Sequence, residues 1–156
     1  MDAGELNKYA QGFQFLPLFD LDAELNYVGL IGKSFSTEDN LTYTVKIDEN
    51  ATWSDGVPIT ADDVVFTALK LTSKAVGNLT MVGYAALAGF DENGNSPDEA
   101  TEIEGVAKVD DKTVNFVFKA PTSQATFVNS FARYLLTIPK HKLGSVPTAE
   151  LATTDW

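Results

Sequence analysis

The sequence predicts an α+β domain, in which small antiparallel or mixed β-hairpins carry packed helices. Three observations lead there: a strict two-residue alternation at residues 41–47, a capped amphipathic stretch after residue 60, and a second alternating pair within residues 103–119. The composition supplies the core. Of 156 residues, 44% are hydrophobic, ten of them Phe, and a chain of this size buries roughly two-thirds of its unfolded surface. No internal repeat, heptad run or low-complexity linker divides it, so residues 1–156 read as one domain.

The first strand pair is the clearest. Leu41, Tyr43, Val45 and Ile47 share one face and Thr42, Thr44 and Lys46 the other, the pattern of a half-buried strand. Residues 30–36 precede it across Thr37-Glu38-Asp39-Asn40, whose Asp and Asn accept turn dihedrals, so the two segments predict a hairpin. Trp53-Ser54-Asp55-Gly56-Val57-Pro58 is turn chemistry: Asp-Gly supplies the left-handed conformation, and Pro58 has no donor for a continuing ladder.

A helix begins directly afterwards. Thr60 suits the N-cap, with Asp63 three residues on as the reciprocal partner of a capping box and Ile59 and Val64 as its hydrophobic staple. Asp62 and Asp63 sit where the helix dipole favours negative charge. Ala61, Val64, Val65, Ala68, Leu69 and Thr72 then recur at helical spacing. Residues 79–90 predict a short helix broken near Gly83 or Gly89, followed by a polar loop at 91–100.

The second pair reads as strands at 103–109 and 113–119 around an Asp110-Asp111 turn, with Val114, Phe116 and Phe118 on one face. After Pro121, Thr122 or Ser123 can cap a helix running to Tyr134, with Ala125, Val128, Phe131 and Ala132 inward. An extended Leu135-Leu136-Thr137-Ile138 ends at Pro139, and the tail to Trp156 forms one more helical turn.

Charge and residue inventory narrow the function classes. With 22 acidic and 11 basic residues, the formal charge of −11 repels phosphate backbones and anionic headgroups, which argues against nucleic acid and for a solvated surface. Cysteine is absent, which removes disulfides, thiolate metal sites and a cysteine nucleophile. Met1-Asp2-Ala3-Gly4-Glu5 has neither the basic nor the apolar region of a secretion signal, and no apolar run approaches the ~20 residues of a membrane helix. If the protein is exported, its leader is missing from this sequence.

No catalytic, cofactor-binding or metal-binding residues are assigned. The single histidine, His141, lacks a second His or Cys for a zinc site and reads as a surface or helix-start residue, with no G-x-S-x-G elbow, P-loop or G-x-G-x-x-G accompanying it. Asp91, Asn93, Asn95 and Glu102 fall at EF-hand positions 1, 3, 5 and 12. Position 6 is Ser96 where glycine is required, and Pro97 follows, so an ordinary polar loop is the better reading. The Asn-x-Thr triplets at Asn40, Asn50 and Asn78 read as turn residues. Phe13, Phe15, Phe19, Tyr27, Trp53 and Tyr84 can line a groove or fill a core, and core is the default. Trp53 is set apart because its turn places a large ring beside Ser54, Asp55 and Gly56; these four are the ligand-proximal candidates.

Leu41-Thr42-Tyr43-Thr44-Val45-Lys46-Ile47 followed by Trp53-Ser54-Asp55-Gly56-Val57-Pro58-Ile59-Thr60-Ala61-Asp62-Asp63-Val64-Val65-Phe66 resembles the most characteristic stretch of the family 5 extracellular solute-binding proteins. Two more pieces fit in order: the hairpin around Val109-Asp110-Asp111-Lys112-Thr113-Val114, and Ile138-Pro139-Lys140-His141. The resemblance covers about residues 30–143. It departs at Ile31-Gly32-Lys33-Ser34-Phe35, where the family commonly has Leu-Ala-Glu-Ser-Trp.

The resemblance implies a type II periplasmic binding protein of two lobes that close on oligopeptides, dipeptides or nickel complexes. This chain would be the small subdomain appended to the first lobe, flanking the cleft and binding solute weakly or not at all when alone. It further implies an extracytoplasmic location and an ABC permease as partner, with short peptide as ligand of the full-length parent, a monomeric fragment, no cofactor and no covalent chemistry. The alternatives are a free-standing extracellular interaction module and, behind it, a hydrolase using His141.

Overall fold

The alternation at 41–47 sets the middle of the molecule. In the computed structural model, which describes residues 15–76, 83–97 and 100–154, Tyr43, Val45 and Ile47 are buried, while Thr42, Thr44 and Lys46 are half-buried or exposed. In chain order the elements are β1 (Phe19–Leu21), β2 (Tyr27–Gly29), β3 (Gly32–Ser36), β4 (Thr42–Ile47), α1 (Ala61–Leu71), β5 (Val106–Asp110), β6 (Thr113–Val117), α2 (Gln124–Phe127) and α3 (Lys140–Leu143). Short 3-10 segments lie at Tyr84–Ala86 and Thr148–Thr153. β1 and β2 pair as a separate hairpin, and the other strands form one antiparallel sheet in the order β3-β4-β6-β5.

Register makes this sheet one-sided. Tyr43 lies opposite Phe116 and Val45 opposite Val114, so two apolar rows adjoin. On the other face Thr44 Oγ1 donates to Asn115 Oδ1 at 2.9 Å and Lys46 Nζ to Thr113 Oγ1 at 3.0 Å. An antiparallel sheet with one dry and one wet face follows directly from period-2 patterning.

Phe127 closes the dry face. Its ring stacks on Tyr43 at 4.2 Å and 12°, and meets Phe35, Phe116, Phe118 and Phe131 at 5.3 to 6.1 Å in tilted or edge-on arrangements, the geometries that aromatic quadrupoles favour. Ser123 caps α2 by accepting from the Thr126 N–H at 3.1 Å. The helix then widens into a π-helical turn, Val128–Ala132, with the Arg133 N–H reaching the Val128 carbonyl at 3.1 Å.

Several expectations shift by a residue or a face. Val128, Phe131 and Ala132 are buried as expected, but Ala125 is exposed and Phe127 takes the inward place. A phenyl ring buries far more area than a methyl group, so the first turn of α2 rotates to favour the ring. The tight turn is Asp111-Lys112, one step later than expected. Asp110 stays in the ladder opposite Thr113, and its carboxylate accepts from the Lys112 N–H at 2.8 Å and Thr113 Oγ1 at 2.9 Å.

β5 starts at Val106, because residues 103–106 turn on a bond from the Val106 N–H to the Ile103 carbonyl. Residues 135–138 join no ladder among the described residues; the Ile138 N–H is taken by Thr67 Oγ1 instead. The helix expected within 79–90 is a 3-10 turn, and Gly89 sits at φ 81 just after it. Its first residues, 79–82, and Asn78, Phe13 and Trp156 lie outside the described residues. β1 and β2 were not anticipated, since three-residue strands are too short to display a period.

α1 is apolar on two sides. Ala61, Val64, Ala68 and Leu69 join the main core under the sheet. Phe66 faces away, into a second cluster with Val76, Ile138, Leu143 and Leu151. This second contact brings α3 alongside the start of α1.

Candidate functional site

The Trp53 turn is built from its own backbone. The Trp53 N–H donates to the Val57 carbonyl at 2.8 Å, and the Gly56 N–H donates to the Trp53 carbonyl at 2.9 Å. Gly56 adopts φ 84, the left-handed region where a side chain is strained. Asp55 Oδ1 accepts from the Val57 N–H at 3.2 Å, locking the turn from its side chain.

Directly after it, Asp63 Oδ2 accepts from the Thr60 N–H at 2.9 Å and from Thr60 Oγ1 at 3.2 Å, the reciprocal contact the sequence predicted. The same carboxylate uses Oδ1 to accept the Lys140 N–H at 2.8 Å. Buried Asp63 therefore caps α1 and anchors α3 at once.

Charges complete the seam between the turn, α1 and α3. Asp55 Oδ2 lies 2.9 Å from His141 Nε2 and 3.1 Å from Lys142 Nζ. Asp62 pairs with Lys140 at 2.9 Å and with Lys108, which also reaches Asp111 at 2.7 Å. His141, followed by Lys142 and the Val57 N–H, holds the Asp55 carboxyl well below the usual carboxylate range. Lys108, then Lys140, lower Asp62, and Asp111 and Asp62 in turn raise the Lys108 ammonium.

These groups satisfy one another. Asp62, Asp63, Lys140 and His141, with Val57, Pro58, Thr60 and Gly144, line an open depression of about 640 Å³. Its titratable side chains are engaged in fastening elements together, and chemically the arrangement is a clamp between a turn and two helices.

Because the folded-state pKa of Asp55 lies below its unfolded value of about 3.9, the stabilisation is complete above roughly pH 5 and begins to fall below it. It is lost as pH falls through the folded value. Denaturant midpoints measured from about pH 6 down to about pH 2 are expected to fall at the acid end, and less so in Asp55→Asn. Identical acid profiles for the two proteins would contradict the assignment.

Of the ligand-proximal candidates, Ser54, Asp55 and Gly56 are exposed, and Trp53 is half-buried against the main core. The Trp53 ring lies 6.4 Å from the His141 ring, and its Nε1 is buried with no acceptor among the described residues. The structure thus joins Asp55 to His141, which the sequence treats separately. Lys140, Lys142 and Lys108 are parts of the clamp that sequence reasoning missed; the basic run Lys140-His141-Lys142 was the one signal for it.

Asp91 does not face an open loop. Its carboxylate accepts from the Asn93 N–H at 2.9 Å, the Asn95 N–H at 2.8 Å and Asn95 Nδ2 at 3.0 Å, contacts led by Asn95 that lower its pKa to about 2. Asn40 occupies the turn between β3 and β4 at φ 57. Phe19 and Tyr84 are buried in the main core, Phe15 borders the second cluster, and Tyr27 is exposed.

Residues 26–155 match the profile of the bacterial extracellular solute-binding proteins, family 5 Middle. Over 144 residues the chain is 31% identical to a Brucella ovis protein named for peptide binding in an ABC transporter, covering 91% of this chain and 24% of that one. It is 29% identical over 136 residues to the oligopeptide-binding protein AppA of Bacillus subtilis, covering 86% and 22%. Among solved structures it resembles the Escherichia coli murein tripeptide binding protein MppA, with TM-score 0.66, 26% identity, and coverage of 86% and 26%.

The substrate-binding domain of an oligopeptide ABC transporter from Bacillus anthracis, at TM-score 0.71 and 24% identity with coverage of 91% and 27%, shares the fold. The chain spans about a quarter of the length of the curated relatives it matches. Among the described residues no helix is long and apolar enough to cross a membrane. The sheet, the capped helix and the clamp all fall inside the matched span, and the chain belongs to family 5 of the bacterial extracellular solute-binding proteins.

Proposed function

We propose that this chain is one subdomain of an extracytoplasmic solute-binding protein that captures oligopeptides or dipeptides and delivers them to an ABC permease. The observation that carries the reading is the family match over residues 26–155, together with relatives named for peptide binding that are about four times as long. In this reading the chain is a wall. The Trp53-Ser54-Asp55-Gly56 turn faces the cleft of the full protein, and the Asp55, Asp62 and Asp63 contacts hold that turn rigid.

The chain performs no covalent chemistry. His141 is a fastener for Asp55, and affinity resides in surfaces contributed by the rest of a two-lobed, periplasmic or cell-surface parent. A ligand that needs the complete cleft cannot stabilise one wall of it. Thermal unfolding of this chain is therefore expected to show no change in Tm with millimolar di- to pentapeptides. A rise of several degrees with any of them would place a self-contained site here and overturn the proposal.

A further inference from the structure

We propose that residues 138–151 form a detachable strap over the outer face of α1, opening as a unit while the sheet stays folded. This inference is independent of the peptide-binding reading.

The strap has a core of its own. Ile138, Leu143 and Leu151 bury against Phe66 and Val76, with Phe15, Leu71 and Val146 at the margin, whereas the rings and strands under the sheet make up the other cluster. Its backbone bonds are local: the Leu143 N–H to the Pro139 carbonyl at 3.0 Å, the Gly144 N–H to the Lys140 carbonyl at 2.7 Å and the Glu150 N–H to the Pro147 carbonyl at 2.9 Å. Among the described residues, no strand pairing or bridge joins it to the sheet.

Among the described residues, its side-chain hydrogen bonds and ion pairs run to α1 and the preceding turn. Thr67 accepts the Ile138 N–H and Asp63 the Lys140 N–H, Lys70 Nζ donates to Thr148 Oγ1 at 2.8 Å, and Asp62 and Asp55 hold Lys140, His141 and Lys142. A segment with a small separate core, no ladder and partly exposed ion pairs belongs to the low-stability end of a structure and opens ahead of the rest. Opening bares Phe66 and frees Asp55, so the strap sets how firmly the Trp53 turn is held.

Amide hydrogen exchange on the whole chain tests this. The amides of Ile138, Lys140 and Gly144 are expected to exchange with a common opening equilibrium, about a hundredfold or more faster than those of the β4–β6 ladder. Asp55→Asn and Lys142→Ala, at a pair that touches no sheet strand among the described residues, should each speed the strap about threefold or more and leave the ladder unchanged, as should high salt. Strap amides as protected as the ladder, strap amides with unrelated rates, or variants that accelerate both sets equally would each overturn the proposal.

Discussion

Phe127→Ala is expected to lower the unfolding free energy by about 3–5 kcal/mol, the range for truncating a buried phenylalanine. Domains of this kind are stable by only about 5–15 kcal/mol, so the loss is a large share of the total. The reason lies in where the ring sits. Phe127 is fully buried, stacked on Tyr43 and touching the rings of Phe35, Phe116, Phe118 and Phe131. It therefore joins β3, β4, β6 and the π-helical turn, and deleting it opens a cavity that four separate elements would have to close. Phe127→Leu refills part of that volume and should recover about half of the loss. Urea denaturation of the three proteins decides the matter: a Phe127→Ala cost below about 1 kcal/mol would mean the aromatic layer is not the centre of the core.

The second large effect is expected at Asp63. Asp63→Ala removes a capping box, worth about 1 kcal/mol. It also takes the charged acceptor from the part-buried Lys140 N–H, and a hydrogen bond to a charged group contributes about 1.5–3 kcal/mol. The sum, about 2–4 kcal/mol, far exceeds what an exposed carboxylate contributes. Asp63→Asn keeps one acceptor oxygen and should fall between wild type and Ala. If Asp62→Ala, at the neighbouring half-buried position, cost as much as Asp63→Ala in the same denaturation series, the dual role of Asp63 would be wrong.

Much of this was readable beforehand, and the boundary is physical. Period-2 alternation exposed β4, because each of its residues reports its face by its polarity. The Thr60 and Asp63 cap was legible because both partners sit within one turn of each other. The contacts that make the clamp were hidden for the opposite reason: Asp55 meets His141, and Asp63 meets Lys140, across long stretches of chain. Local pattern carries no information on which surface charges a tertiary fold will bring together. The exchange of Ala125 for Phe127 has a similar cause, since a helix of one turn running into a π-helical turn leaves no periodicity to count. Family resemblance supplied the class, and structure supplied the reason that Trp53, Ser54, Asp55 and Gly56 stand fixed where they do.

The measurement closest to the central claim is a nitrogen–proton NMR titration of this chain with a tripeptide and a pentapeptide, followed at the Trp53, Asp55 and Gly56 amides and the Trp53 indole. The account predicts at most small, non-saturating shifts up to millimolar peptide, as for a wall without its opposing lobe. Saturable shifts converging on that turn with a Kd of about 100 μM or tighter, some 5.5 kcal/mol of binding, would contradict it.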